Sequence, residues 1–245
     1  MTDSDELIDQ ATLIQGLAEA LRQGGAIVQV FETHISWVLI SAGFAYKFKK
    51  AVQFDFLDFS TLASRHFYCL EEIRLNRRLA PNLYLDVVAV TGSLQHPQLN
   101  MPGVPIEYAV RMRAFPQNAL WNVRLDDKLL NSEEIDAFSK KIARFHLDAN
   151  VADSESAWGT PAALRRVANE NLETIASSVV DSFEKRMLDE IKAWHIAQQR
   201  ILEPRFLDRK ARGMVRECHG DLHCGNILTL DQQVEIFDCI EFNER

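Results

Sequence analysis

The stretch Cys218-His219-Gly220-Asp221-Leu222-His223-Cys224-Gly225-Asn226-Ile227, followed by Val234-Glu235-Ile236-Phe237-Asp238, decides how this chain is read. It carries one candidate base and two side chains suited to a hard metal ion, the layout that phosphoryl transfer needs. A hydroxyl attacking a γ-phosphate requires an acceptor for its proton, and the phosphate oxygens require Mg²⁺ held by carboxylate and amide oxygens. Asp221 is the candidate acceptor. Asn226 lies five residues on, so a tight loop through Gly225 can turn its amide toward an ion that Asp238 approaches from the next strand. The apolar runs 227–230 and 234–237, separated by Asp231-Gln232-Gln233, read as a short β-hairpin under the loop. Asn226 and Asp238 then come from opposite ends of one hairpin and can meet at one ion.

A zinc reading competes for the same residues. Cys218, His219, His223, Cys224, Cys239 and Asp221 are a dense set of potential ligands, but they match neither Cys-x-x-Cys nor His-Glu-x-x-His spacing, and the chain holds only 4 cysteines. Cys218 and Cys224 read instead as small buried filler, and His219 as a residue bonded to backbone. His223 stays open between a structural hydrogen bond and a contact near the phosphate.

Residues 219–227 with Phe237-Asp238-Cys239-Ile240-Glu241 resemble the signature of the aminoglycoside phosphotransferase family, a branch of the protein-kinase-like fold. The resemblance implies an α+β, two-lobed fold with a small β-rich N-lobe and a larger helical C-lobe. It assigns the catalytic role to Asp221 and the metal-binding roles to Asn226 and Asp238, with ATP and Mg²⁺ as cofactors. Protein kinases carry Arg before the catalytic Asp and Gly after the metal Asp; Gly220 and Cys239 stand there, which favours a small-molecule kinase. The segment Phe54-Asp55-Phe56-Leu57-Asp58-Phe59-Ser60 with Arg74-Leu75-Asn76-Arg77-Arg78-Leu79-Ala80-Pro81 resembles a narrower group of uncharacterised bacterial proteins. Their kinase-like domain is often fused to a C-terminal P-loop ATPase or kinase module.

The nucleotide belongs to the first half. Residues 37–40, the turn Ser41-Ala42-Gly43 and residues 44–49 read as a hairpin whose second strand puts Ala45, Lys47 and Lys49 on one face. A kinase needs a strand lysine over the α- and β-phosphates; Lys47 is favoured by the resemblance and Lys49 is its rival. Its carboxylate partner is expected on the next helix, 61–79, capped by Ser60 and stopped by Pro81. There Glu72 falls on a largely apolar stripe with Leu62, His66, Cys69, Leu75 and Leu79, and a buried carboxylate calls for a cationic partner. Glu71 points about 100° away, the turn per helical residue, and reads with Arg74, Arg77 and Arg78 as a solvated face. No Gly-x-Gly-x-x-Gly occurs between Gln29 and Ser36, so Thr33, His34 and Ser36 are the candidate donors to the phosphates. A Gly-x-x-x-x-Gly-Lys-Ser/Thr run is also missing.

The expected organisation is an amphipathic helix over 1–25 (Leu7, Ile14, Leu17, Leu21, then Gly24-Gly25), a nucleotide-binding lobe over 26–106, a hinge over 107–113, and a helical lobe over 114–245 carrying the catalytic loop and hairpin. The helix docks on the small lobe or covers a partner. Backbone groups of Glu107, Tyr108, Ala109 and Val110 are expected at an adenine edge, the alternative being an ordinary edge strand. Ser132-Glu133-Glu134-Ile135 opens a helix with Phe138, Ile142 and Phe145 on its core face, and 161–199 reads as helical, the natural wall for an acceptor site. The end at Arg245, seven residues past Asp238, suggests a fragment or a shortened large lobe. Glu241 faces the cleft or supports it from behind.

With 245 residues and 47% hydrophobic content the chain can build substantial cores. A net charge of -8 speaks against nucleic acid as a partner and is compatible with a cationic acceptor. Few cysteines and no long apolar run predict a cytoplasmic protein without a membrane partner. The expected function is therefore Mg-dependent transfer of the γ-phosphate of a nucleoside triphosphate to the hydroxyl of a small molecule. The alternative is a noncatalytic nucleotide-binding module that regulates a fused P-loop domain.

Overall fold

The computed structural model describes residues 3–54 and 57–241, with side-chain surroundings from residue 9 onward. The side chain of Leu7, and all of Asp55 and Phe56, thus fall outside what is described. Helix α1 (Asp3–Gln23) is followed by strands β1 (Val28–Glu32), β2 (Ser36–Ser41), β3 (Phe44–Lys49), β4 (Gln53–Phe54) and β5 (Leu57–Asp58). Helix α2 (Leu62–Asn76) leads to β6 (Tyr84–Gly92), β7 (Pro97–Leu99) and β8 (Glu107–Arg113). Helices α3 (Trp121–Asp126), α4 (Ser132–Asp148), α5 (Pro161–Ser178) and α6 (Ser182–Ala211) precede the hairpin β9 (Ile227–Leu230) and β10 (Gln233–Ile236). The architecture is mixed α+β, with a β-sheet region in the N-terminal part and a helical region toward the C-terminus.

Two compact units divide the chain, residues 3–145 with 219–241, and residues 146–218. The loop 219–226 and its hairpin therefore share a unit with the sheet. Packing explains this: Leu228 of β9 is buried in the same cluster as Ala45, Cys69 and Tyr84.

Helix α1 stops as its glycines predict. Gly25 (φ +86°) takes the left-handed position, the Ala26 amide donates to the Leu21 carbonyl and the Gly25 amide to that of Arg22, the paired bonds of a Schellman motif. Its apolar stripe Leu13, Ile14, Leu17 and Ala18 is buried against Trp37, Leu39, Phe48 and Val90, so the helix covers one face of the sheet.

The six-stranded sheet has the order β1-β2-β3-β8-β6-β7. Hairpin β2–β3 turns through Ala42 (φ +49°) and Gly43 (φ +80°), the positive-φ pair that matches strand twist. Strand β8 lies between β3 and β6, with Val110 opposite both Lys47 and Val87. Residues 107–113 thus form an inner strand of the sheet rather than an edge strand. Helix α2 is capped by Thr61, whose Oγ1 accepts from the Ser64 amide at 3.1 Å, while the Ser60 hydroxyl is engaged with Asp58; it ends at Asn76 rather than Leu79.

In the 146–218 unit the expected helical stretch from Pro161 consists of two helices, and α6 runs on past Gln199 to Ala211. Val179-Val180 breaks it, and Asp181 caps α6 by accepting from the Phe183 amide at 2.6 Å. Among the described residues no helix is long and apolar enough to cross a membrane.

Candidate functional site

The loop before β9 is organised by two histidines. His219 is buried; its Nε2 donates to the Phe237 carbonyl at 2.9 Å and its Nδ1 accepts from the Asp221 amide at 3.3 Å. Burial pulls its pKa down, so it works as a neutral strut between the loop and the end of β10. Gly220 sits at φ +87°, and a Cβ there would stand 3.2 Å from the Ile240 Cβ. Gly220→Ala is accordingly expected to destabilise the fold by about 1–3 kcal/mol through left-handed strain and displacement of Ile240. An unchanged urea midpoint would show that the loop does not depend on this conformation.

His223 Nδ1 accepts from the Gly225 amide at 3.0 Å, and its Nε2 stands 3.5 Å from Asp221 Oδ2, so it has both the structural role and a place beside the candidate base. Buried Asn226 donates from Nδ2 to the Asp221 carbonyl at 2.9 Å and to Asp221 Oδ2 at 3.3 Å. The hairpin that follows turns through Asp231 (φ +49°) and Gln232 (φ +63°), which leaves Gln233 as the first paired residue of β10 rather than part of the turn. Phe237 donates its amide to the Asn226 carbonyl at 3.0 Å, which brings the segments carrying Asn226 and Asp238 side by side.

Asp238 adopts φ +61°, a left-handed conformation that aspartate tolerates better than most residues. Its amide donates to the Tyr84 hydroxyl at 3.2 Å, and its carboxylate meets Lys47 Nζ at 2.5 Å. Lys47 also donates to Glu72 Oε1 at 2.9 Å, so the carboxylate partner is the one on the apolar stripe; Glu71 pairs with Arg74 on the exposed face. Lys49 donates to Glu72 Oε2 at 2.8 Å and to Glu241.

Burial works against charge at each of these groups, and their neighbours outweigh it in most cases. Burial would lower the Lys47 pKa, but Asp238 and Glu72 hold it well above the ordinary lysine range. Burial would raise the Glu72 carboxyl, yet Lys47 and Lys49 bring it down to about 2. At Glu241 burial wins over Lys49 and its pKa is raised. Tyr84 is pushed far up by burial and by the Glu72 and Asp238 carboxylates, so its hydroxyl stays neutral.

A cleft of about 640 Å³ opens beside these groups and is lined by Lys47, Tyr84, Asp221, Asp238 and Glu241. Its apolar wall includes Val38, Ile40, Ala45, Met112, Phe115 and Phe237, a set able to take a flat ring. Thr33, His34 and Ser36 of the β1–β2 turn lie along it as well. Thr33 Oγ1, however, accepts the amides of Ile35 at 3.3 Å and Ser36 at 3.0 Å, so those two N–H groups are taken up within the turn.

Glu107, Tyr108, Ala109 and Val110, the expected adenine edge, lie within strand β8. Those residues are paired on the β6 side and, at Val110, on the β3 side. Glu107 is buried and bonded to Arg65 and Gln10, and the chain reaches the cleft only at Met112, Ala114, Phe115 and Gln117. Pro116, which ends the extended run, was the signal that strand exit lies here. Tyr84 had no signal in the sequence, since its contact with Asp238 spans 154 residues.

Asp238 with a side chain 43% exposed and Asn226, whose Oδ1 is not used by its two Nδ2 bonds, are oxygen donors of the kind Mg²⁺ takes when substrate phosphates and water complete its shell. Among the described residues no group of three or more His, Cys, Asp or Glu stands together as a metal cage. The donor set present suits an ion shared with a ligand.

No family model matches the chain. It is 29% identical over 220 residues to the uncharacterized protein Rv2004c of Mycobacterium tuberculosis, and to the same extent to the uncharacterized protein Mb2027c of Mycobacterium bovis; the match covers 89% of this chain and 42% of each relative. The chain thus spans about two-fifths of the length of the curated relatives it matches.

Proposed function

We propose that this chain is a phosphotransferase with the two-lobed, protein-kinase-like fold, moving the γ-phosphate of a nucleoside triphosphate to the hydroxyl of a small-molecule acceptor. One observation carries the reading: Lys47, tied to fully buried Glu72, lines one cleft together with Asp221 and Asp238. Lys47 offers its positive charge to the donor's α- and β-phosphates. Asp238 and Asn226 would hold Mg²⁺, which supplies neutralisation of charge on the phosphate oxygens. Asp221 takes the acceptor's proton as the new O–P bond forms, and the β–γ bridging bond breaks to release the nucleoside diphosphate.

Titration calorimetry with a nonhydrolysable ATP analogue tests this. Binding is expected to require Mg²⁺ and to weaken at least about tenfold in Asp238→Ala. Equal affinity in the variant would refute the metal assignment, and no binding by the wild type would refute the nucleotide site. The alternative, a noncatalytic nucleotide-responsive module of a longer protein with a P-loop domain, draws support from the Thr33-bonded turn, which withholds the Ile35 and Ser36 amides from a phosphate. Tight Mg-dependent binding without turnover would favour it.

A further inference from the structure

We propose that Lys49 and Glu241 close a ring of charge that positions Glu72 and Asp238 for the nucleotide. The inference rests on the phosphotransfer reading for its functional consequence. Lys47 and Lys49 are two residues apart on one face of β3, and they divide the Glu72 carboxylate between them, Oε1 to Lys47 at 2.9 Å and Oε2 to Lys49 at 2.8 Å. Each lysine has a second acidic partner, Asp238 for Lys47 and Glu241 for Lys49. Those partners lie three residues apart in the segment after β10. The series Asp238, Lys47, Glu72, Lys49, Glu241 therefore returns to the segment it left, joining β3, α2 and the stretch that carries the proposed metal ligand.

Backbone bonds brace the same stretch. The Cys239 amide donates to Asn76 Oδ1 at 2.8 Å and the Ile240 amide to the His219 carbonyl at 3.1 Å. The ring holds three carboxylates and two ammonium groups. Glu72, Lys49 and Glu241 have side chains 0%, 1% and 4% exposed, whereas Asp238 is 43% exposed, so the unmatched negative charge is reachable at the one member placed to meet a cation. Lys49 does not line the cleft. It is a positioning residue: without it Glu72 loses one of two directional bonds, and the 238–241 segment loses its buried tether to β3. Such a ring tolerates removal of one charge poorly and removal of an opposite pair better, because no buried charge is then left unmatched.

The test uses Lys49→Met and the apolar double variant Lys49→Met/Glu241→Leu, which keeps the experiment decisive if the single variant does not fold. Cys239, 2% exposed between Asp238 and Glu241, reports release of the segment through alkylation by iodoacetamide read by mass spectrometry. Cys69 in α2, fully buried and with a thiol pushed up to about 12 by burial, reports global unfolding. In both variants Cys239 alkylation is expected to accelerate about tenfold or more at an unchanged Cys69 rate, as for local opening. Affinity for the Mg-bound ATP analogue is expected to fall by about tenfold as well, also in the double variant. Wild-type Cys239 rates in both variants would overturn the ring, and so would wild-type affinity in the double variant. A wild-type chain that binds no Mg-nucleotide would defeat the phosphotransfer reading, and the Cys239 rates would still decide the ring.

Discussion

Asp221→Ala is expected to lower turnover about 10³-fold while Mg-nucleotide affinity stays within about twofold of wild type, the pattern of a lost proton acceptor. The geometry separates the two effects. Asp221 has a side chain 53% exposed and lines the cleft; among the described residues its carboxylate meets His223 at 3.5 Å and the Asn226 amide at 3.3 Å, and it is not bonded to Lys47, Glu72 or Lys49. Its removal leaves the Lys47–Glu72 and Lys47–Asp238 ion pairs in place and uncovers no buried charge. ATP hydrolysis, with water standing in for the acceptor, measures turnover, and calorimetry measures affinity. Turnover equal to wild type would remove Asp221 from the reaction, while a parallel loss of affinity would move it to the binding site.

Glu72→Gln is expected to be the most damaging substitution for stability, at about 3–5 kcal/mol, because buried Lys49 and part-buried Lys47 each lose one of their two carboxylate partners. The same variant tests the pH dependence. The Glu72 carboxyl, ordinarily near 4.5, is brought down to about 2 in the folded chain by Lys47 and Lys49. Its contribution is fully present above about pH 4.5 and is lost as pH falls toward 2, an amount on the order of 3 kcal/mol. Glu107 and Glu241, whose pKa values burial raises, act with the opposite sign, so the wild-type profile alone mixes the two. The difference between wild-type and Glu72→Gln unfolding free energies isolates Glu72 and is expected to shrink on acidification. A difference constant from pH 7 to pH 3 would show that the lysines do not hold Glu72 ionised.

The loop and hairpin were legible because their contacts are local. Asn226 reaches Asp221 across five residues, and the β9–β10 turn follows from two apolar runs with polar residues between them. The β3 lysines and Glu72 were legible from period alone: alternation put Lys47 and Lys49 on one face, and helical spacing put Glu72 on an apolar stripe where a carboxylate needs a cation. Period could not choose between the lysines, and the structure shows that the choice was incomplete, since both bind Glu72.

Residues 107–113 show where such reading stops. An alternating apolar strand bordered by prolines looks the same at an edge and in the middle of a sheet, because strand order is set by pairings between segments far apart in the chain. Here β8 is inserted between β3 and β6, with the β6 pairing running from Glu107 and the β3 pairing from Val110.

By itself, then, the sequence determined most of the elements, the tight loop and the side chains proposed to carry phosphoryl transfer, all consequences of local sterics and hydrophobic period. Only the tertiary structure decided that Lys47 meets Asp238 across 191 residues, that Glu241 pairs with Lys49 across 192, and that Tyr84 supports the Asp238 backbone. Those contacts depend on which distant segments share one buried space, where an unpaired charge is too costly to leave and each group must find its partner.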